Sequence, residues 1–247
     1  MNSMVDKKGV SGVKKRFIEK FGEDYFLFSK AYPHFKELQE KISKEIFKFC
    51  NGKEDCLVLE IGCGSGATSL EILKRNKCIK LMAVDNEIEM IKQVKKNLKD
   101  YSGRVEFFHE DALSFLKKIK SSTYDVFVSA WVIHNFEEVY RNKVLKEIFR
   151  ILKKGGLFVN GDKYALDNLK ARHRAFNWSI KQYLSVYPLE NRDDYCYDWI
   201  IHMAEDEKSG VLMPERESIR LMRELGFGNL KIVWRKKMEA IVVAIKK

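Results

Sequence analysis

One stretch, Leu57-Val58-Leu59-Glu60-Ile61-Gly62-Cys63-Gly64-Ser65-Gly66-Ala67-Thr68, constrains the fold of this chain more than any other. An apolar run with strand character enters three alternate glycines and leaves as a helix. Glycine tolerates positive φ and lets another group approach the backbone, so such a turn can be sharp and can face a ligand. A helix beginning near Ser65 or Gly66 would direct its free amides at that ligand.

The middle of the chain keeps the rhythm that this unit starts. Strand-like runs at 57–61, 79–84, 105–108, 124–130 and 157–160 alternate with helix-period stretches at 67–75, 86–100 and 139–152. In 86–100, Ile88, Ile91, Val94 and Leu98 recur every three or four residues, with Glu87 and Glu89 at the start and lysines later, as the helix dipole favours. The 139–152 helix is expected to close with a basic last turn, Lys153-Lys154, and a Gly155-Gly156 stop. After Pro214 a helix over 215–225 ends at Gly226, and strands at 230–235 and 239–245 are close enough to form a hairpin. The last strand should then run against the others. The expected fold class is α/β, a Rossmann-like, seven-stranded, mostly parallel sheet with an antiparallel last strand.

Two regions depart from this pattern. Residues 1–50 are expected to form a helical extension or lid, with helices near 12–21 and 34–49. Residues 51–247 would form the main domain, carrying a helical insert over 165–205 before the last helix. The insert is rich in aromatic residues. Tyr195, Trp199 and Met203 recur every four residues and read as core, while Tyr25, Tyr32 and others are candidates to cover a pocket.

Composition narrows the class. A 247-residue chain with 45% hydrophobic and 33% charged residues suits one large globular domain. Its apolar runs, such as 240–245, fall far short of the ~20 residues that cross a bilayer. The first ten residues lack an apolar signal core, so a cytoplasmic protein without a membrane partner is expected. Five cysteines without a C-x-x-C pair, and five histidines without H-x-x-x-H, argue for reduced thiols and no metal site. The net charge of +11 invites polyanions. Lysines elsewhere alternate with acids, and only Lys7, Lys8, Lys14, Lys15 and Arg16 form a one-sided cluster.

The residues around the glycine turn specify the ligand further. The turn does not continue as G-x-G-x-x-G, and no G-K-[ST] follows, so neither a dinucleotide pyrophosphate nor an ordinary phosphate loop is indicated. Glu60, two residues before Gly62, suits a cationic amino group. Asp85 ends the second strand, where an acid can accept from ribose hydroxyls. Asp111-Ala112 follows the third strand at the same edge. Together these residues point to a nucleoside with an amino-acid tail.

Glu60-Ile-Gly-Cys-Gly-Ser-Gly66, Ala83-Val-Asp85-Asn86, Glu110-Asp111-Ala112, 124–130 and 152–157, in that order, resemble the class I S-adenosylmethionine (SAM)-dependent methyltransferases. The resemblance covers roughly 56–161. It implies SAM as cofactor, with Gly62, Cys63, Gly64 and Gly66 around the methionine moiety and Glu60 near its ammonium. Asp85 would hold the ribose, Asn86 and Met90 would border the adenine, and Asp111 and Ala112 would meet the adenine edge. Ser129 and Ala130 would lie beside the sulfonium. A narrower resemblance, through 85–91, Gly161-Asp-Lys-Tyr164 and the helical insert, is to carboxy-SAM synthases, which imply an arginine such as Arg220 or Arg223 for an extra carboxylate.

Methyl transfer from a sulfonium needs alignment first, and a base only where the acceptor must lose a proton. His134, after the fourth strand, is read either as that base or as a residue packing the next helix. Trp131 reads as pocket wall. The expected acceptor is a small molecule, since no separate nucleic-acid module is evident. RNA is the alternative suggested by charge, and a SAM-binding protein without transfer activity is a third.

Overall fold

A computed structural model describes residues 25–247, so the helix expected over 12–21 and the basic cluster at 7–16 lie outside the described residues. Seven strands form one sheet, in the order β3-β2-β1-β4-β5-β7-β6. They are β1 (Cys56–Ile61), β2 (Ile79–Asp85), β3 (Val105–His109), β4 (Tyr124–Ala130), β5 (Leu152–Lys163), β6 (Phe227–Lys236) and β7 (Glu239–Lys246). The first five run parallel, and β7 is antiparallel to both β5 and β6. The antiparallel last strand and its hairpin are as expected. Sequential crossovers build outward from β1 in both directions, which leaves a crevice at the carboxyl ends of β1 and β4 where the strand order reverses.

The helices cover both faces. Leu59, Phe127 and Phe158 point to one side, under α5 (Ala112–Lys118), α6 (Glu138–Ile151) and α9 (Glu215–Glu224). Val58, Val126 and Val159 point to the other, under α2 (Phe35–Cys50), α3 (Ala67–Arg75) and α4 (Ile88–Asn97). A sheet buried on both faces explains why its strands read as nearly unbroken apolar runs. Helix α2 belongs to this layer: Leu38 and Ile42 press so closely on β5 that a Cβ on Gly161 would lie 2.6 Å from Ile42.

Helix α1 (Tyr25–Ala31) and the insert helices α7 (Leu169–Val186) and α8 (Asp193–Asp206) form a third cluster outside the sheet. Its centre is aromatic. Phe28 stacks on Trp199 with centroids 4.7 Å apart, and Tyr187 meets Tyr195 edge-on at 5.2 Å. The four-residue spacing of Tyr195, Trp199 and Met203 places all three in this cluster, as its period predicts.

Two expectations are corrected. Helix α6 stops at Ile151, and Lys153, Lys154, Gly155 and Gly156 belong to β5, which starts earlier because fully buried Leu152 pairs with Tyr124. The basic residue of the last turn is Arg150. The thiols are not all reduced: a tight turn brings the end of α2 back to β1, and Cys50 and Cys56 are joined in a disulfide with Cα atoms 6.0 Å apart. Cys63, Cys78 and Cys196 are free. Among the described residues, no helix is long and apolar enough to cross a membrane.

Candidate active site

The β1–α3 turn is built by sterics. Gly62 has φ +68, and a Cβ there would lie 2.2 Å from Val132 in the loop after β4. Gly66 caps α3 at φ +92 with no room for a side chain against Val94. Gly64 differs: at φ +52 it faces open space. The turn is thus wedged between α4 and the 131–136 loop, with its middle glycine left exposed to a guest.

Three acids surround it. Glu60 is 1% exposed; the Ser69 hydroxyl donates to its Oε2, and its Oε1 has no partner. Burial raises its carboxyl to about 8, against the Ser69 hydrogen bond and with a further push from Asp85. Asp85 accepts from the Gly64 amide at 2.8 Å and the Glu87 amide at 3.0 Å, so it clasps the glycine turn to the start of α4. Burial pushes its carboxyl up, and those amide hydrogen bonds pull it back. Asp111 caps α5, accepting from the Ser114 amide at 2.9 Å and the Tyr140 hydroxyl at 2.6 Å. Cys63 is buried with its thiol pushed well up, which leaves it an inert part of the turn.

A cavity open to solvent runs from the glycine turn into the space beneath the aromatic cluster. Of the residues expected to contact a cofactor, Gly62, Gly64, Asp85, Asn86, Met90 and Ala130 line it. Glu60, Cys63, Gly66, Asp111, Ala112 and Ser129 are not among its lining residues.

The far end is polar beneath an aromatic roof. His134 lies in a short 3-10 turn, Ile133–Asn135, held by Asp162 of β5. The Asp162 carboxylate accepts from the His134 amide at 3.2 Å and meets Nδ1 at 2.5 Å. A neutral imidazole that donates from Nδ1 turns the Nε2 lone pair to the cavity. The dyad is anchored in turn: Asn160 donates to Asp162 at 3.3 Å and accepts from Ser129 at 2.7 Å. A buried polar ladder therefore joins the end of β4 to the imidazole. Beyond it, Nε2 lies 3.9 Å from Asp206 of α8, and Lys163 donates to Asp206 at 3.3 Å. His134, His202 and Asp206 present ligand-type atoms within 4.8 Å of one another, a grouping able to hold a metal ion, although Lys163 already supplies Asp206 with a cation. Trp131, at φ +54, stacks on Phe35 at 5.2 Å and forms wall, as expected.

Sequence reasoning had His134 but not its partners Asn160, His202, Asp206 and Glu239. His202 and Asp206 form an H-x-x-x-D pair on one helical face, a visible signal hidden among the aromatic residues of the insert. Glu239 is the first residue of β7, and nothing in its sequence neighbourhood marks it. Arg220 and Arg223 lie away from the cavity: Arg220 pairs with Glu217 and Glu224 on the surface, and Arg223 lines a separate groove.

Comparison with known proteins agrees with this geometry. Residues 58–156 match a family model described as a methyltransferase domain. This span is similar to the methyltransferase domains of the class I SAM-dependent family. The chain is 23% identical over 222 residues to a carboxy-S-adenosyl-L-methionine synthase of Nautilia profundicola, covering 89% of each chain. It is 27% identical over 175 residues to a demethylmenaquinone methyltransferase of Leptospira interrogans, covering 68% of this chain and 65% of that one. An O-methyltransferase family protein from Burkholderia thailandensis shares the fold, with a TM-score of 0.67 and 16% identity, over 91% of this chain and 59% of that one. The matched domain and the carboxy-S-adenosyl-L-methionine synthase relative support SAM as the cofactor.

The site fits that cofactor. The unpartnered Glu60 oxygen awaits a donor, the turn excludes a Cβ at Gly62, and Asp85 presents acceptor oxygens at the cavity edge.

Proposed function

We propose that the protein methylates a small molecule held at the far end of the cavity, with His134 accepting the acceptor's proton. One observation carries this reading. The glycine turn and the Nε2 face of the Asp162-bound imidazole open onto the same cavity, under a roof made by α1, α7 and α8. SAM supplies an activated methyl group when bound.

In this reading Gly62, Cys63 and Gly64 shape the bed of the methionine moiety, and Gly66 sets the helix amides behind it. Glu60 meets the ammonium from beneath the turn. Asp85 holds the ribose, and Asn86 and Met90 border the adenine. Each Asp111 oxygen keeps a second lone pair beyond its Ser114 and Tyr140 donors, so the adenine amino group is its further donor, beside Ala112. Ala130 sits beside the sulfonium, and Ser129 acts through Asn160. The loop residues fix the acceptor end: Arg141 donates to the Phe136 carbonyl at 2.7 Å and the Leu212 carbonyl at 3.1 Å, tying the 131–136 loop to the segment after α8.

A second reading, a carboxy-SAM synthase-like reaction, is favoured by the alignment of the Nautilia carboxy-SAM synthase over most of both chains. Such a ligand carries an added carboxylate, and Lys163 is the one ammonium or guanidinium group lining the cavity among the described residues. Native mass spectrometry of the purified protein separates the readings. Retained SAM or its demethylated product, with label transfer from methyl-labelled SAM to a metabolite panel, is the expected outcome. A ligand heavier by a carboxylate would favour the synthase, and label appearing in tRNA or rRNA would favour an RNA acceptor.

A further inference from the structure

The charge of the cavity opposes that of the chain. The sequence carries +11, yet the described residues lining the cavity include four carboxylates (Asp85, Glu87, Asp206 and Glu239) and one ammonium (Lys163), a formal charge of −3. Low-dielectric walls focus such a field, so it selects among guests more strongly than the same charges would on an open surface. Glu239 is the informative member. It lies beside the Tyr32 hydroxyl at the base of β7, and burial pushes its carboxyl up despite the relief given by Lys163. A cationic guest would relieve it further.

The walls carry the same preference. Phe28 and Tyr32 meet Trp131 edge-on at 5.6 and 5.4 Å, and Tyr183 and Trp199 close the far side. Aromatic rings attract cations through their quadrupole, by up to about 2 kcal/mol when water is excluded. Phosphates and carboxylates would meet repulsion from Asp206 and Glu239.

We propose that the acceptor is a small amine with an apolar body, bound as its ammonium between Asp206, Glu239 and the aromatic walls. This deepens the methyl-transfer reading and rests on it. The ammonium gives a proton to His134 Nε2, and Asp162 holds the resulting imidazolium. The freed nitrogen lone pair forms the N–C bond while the C–S bond of the sulfonium donor breaks, leaving that electron pair on sulfur. The methylated product forms directly as an ammonium and leaves through the same acidic lining, and the His134 imidazolium returns its proton to solvent.

The test uses the full-length protein saturated with S-adenosylhomocysteine and titrated calorimetrically with matched probes: 2-phenylethylamine, 2-phenylethanol and 3-phenylpropionate, then the corresponding indole series. The expected result is binding of the amine about tenfold or more tighter than the alcohol, with the carboxylate weakest. Glu239→Gln should reduce the amine preference while leaving S-adenosylhomocysteine affinity and the melting temperature of the complex near those of the parent. Equal or tighter binding of the carboxylate, or no amine binding in either series, would overturn the proposal. So would an amine preference that disappears with EDTA and returns with Zn²⁺, since a metal on His134, His202 and Asp206 would then be the binding group. Absence of S-adenosylhomocysteine binding would instead refute the underlying methyl-transfer reading, so the two failures are distinguishable.

Discussion

Replacing Glu60 with glutamine tests the cofactor end of the site through protons alone. In the folded protein the Glu60 carboxyl titrates at about 8, against an ordinary 4.5, because it is buried. A raised carboxyl favours the protonated form in the fold. The stability it allows is complete below pH 4.5 and is lost progressively as pH rises from 4.5 through 8. At 1.36 kcal/mol per tenfold change in proton affinity, the loss approaches roughly 5 kcal/mol as an upper bound. Urea unfolding of the ligand-free protein across this window should show the loss, and Glu60→Gln should flatten it. Binding is linked to the same proton. At pH 7 a group titrating at about 8 is about nine-tenths protonated. A cofactor ammonium beside Glu60 would drive that proton off, so SAM affinity should rise between pH 6 and 8. Calorimetry at pH 7 in two buffers of different ionisation enthalpy should report release of up to about 0.9 proton per SAM bound. Glu60→Gln should bind more weakly and release none. Identical proton release in parent and variant would refute the placement of the ammonium at Glu60.

Asp85→Ala strands the Gly64 and Glu87 amides as well as removing the ribose acceptor, so SAM affinity should fall by about 10²-fold or more in calorimetry. Gly62→Ala forces a Cβ into Val132 at a positive φ and should cost about 2–3 kcal/mol in denaturant unfolding, whereas Gly64→Ala meets open space and should cost about 1 kcal/mol. His134→Ala should lower kcat about 10²–10⁴-fold on the true acceptor with SAM affinity unchanged. Asp162→Asn, acting by positioning, should lower kcat and shift the pH profile of kcat/KM; an unchanged profile would mean that Asp162 serves stability alone.

The fold was legible because its signals are local. Periodicity located α3 at 67–75 and β4 at 124–130 with the observed limits, since both sit in the buried layers where apolar pattern and structure coincide. Helix α5 escaped notice because seven residues hold two helical turns, too few for a period to emerge. The end of α6 was misplaced because glycine after lysine reads as a helix stop. Pairing of buried Leu152 with Tyr124 is a tertiary fact that overrides it. The proposed cofactor end rests on equally local signals: its glycines and Asp85 lie within a few residues of strand ends. The acceptor end does not. Pairing of β4 with β5 and of β5 with β7 brings His134, Asp162 and Glu239 together, and α8 adds Asp206, contacts between segments far apart in sequence.

The division between these two ends has an evolutionary consequence. In the proposed reading the matched span, 58–156, furnishes the nucleoside bed, while Tyr32, Lys163, Tyr183, Trp199, Asp206 and Glu239 all come from outside it. A lineage can therefore rebuild its choice of guest by drifting in the canopy, without disturbing the pedestal that grips the donor. Grafting 165–213 from a distant cousin onto this sheet would be the laboratory version of that history.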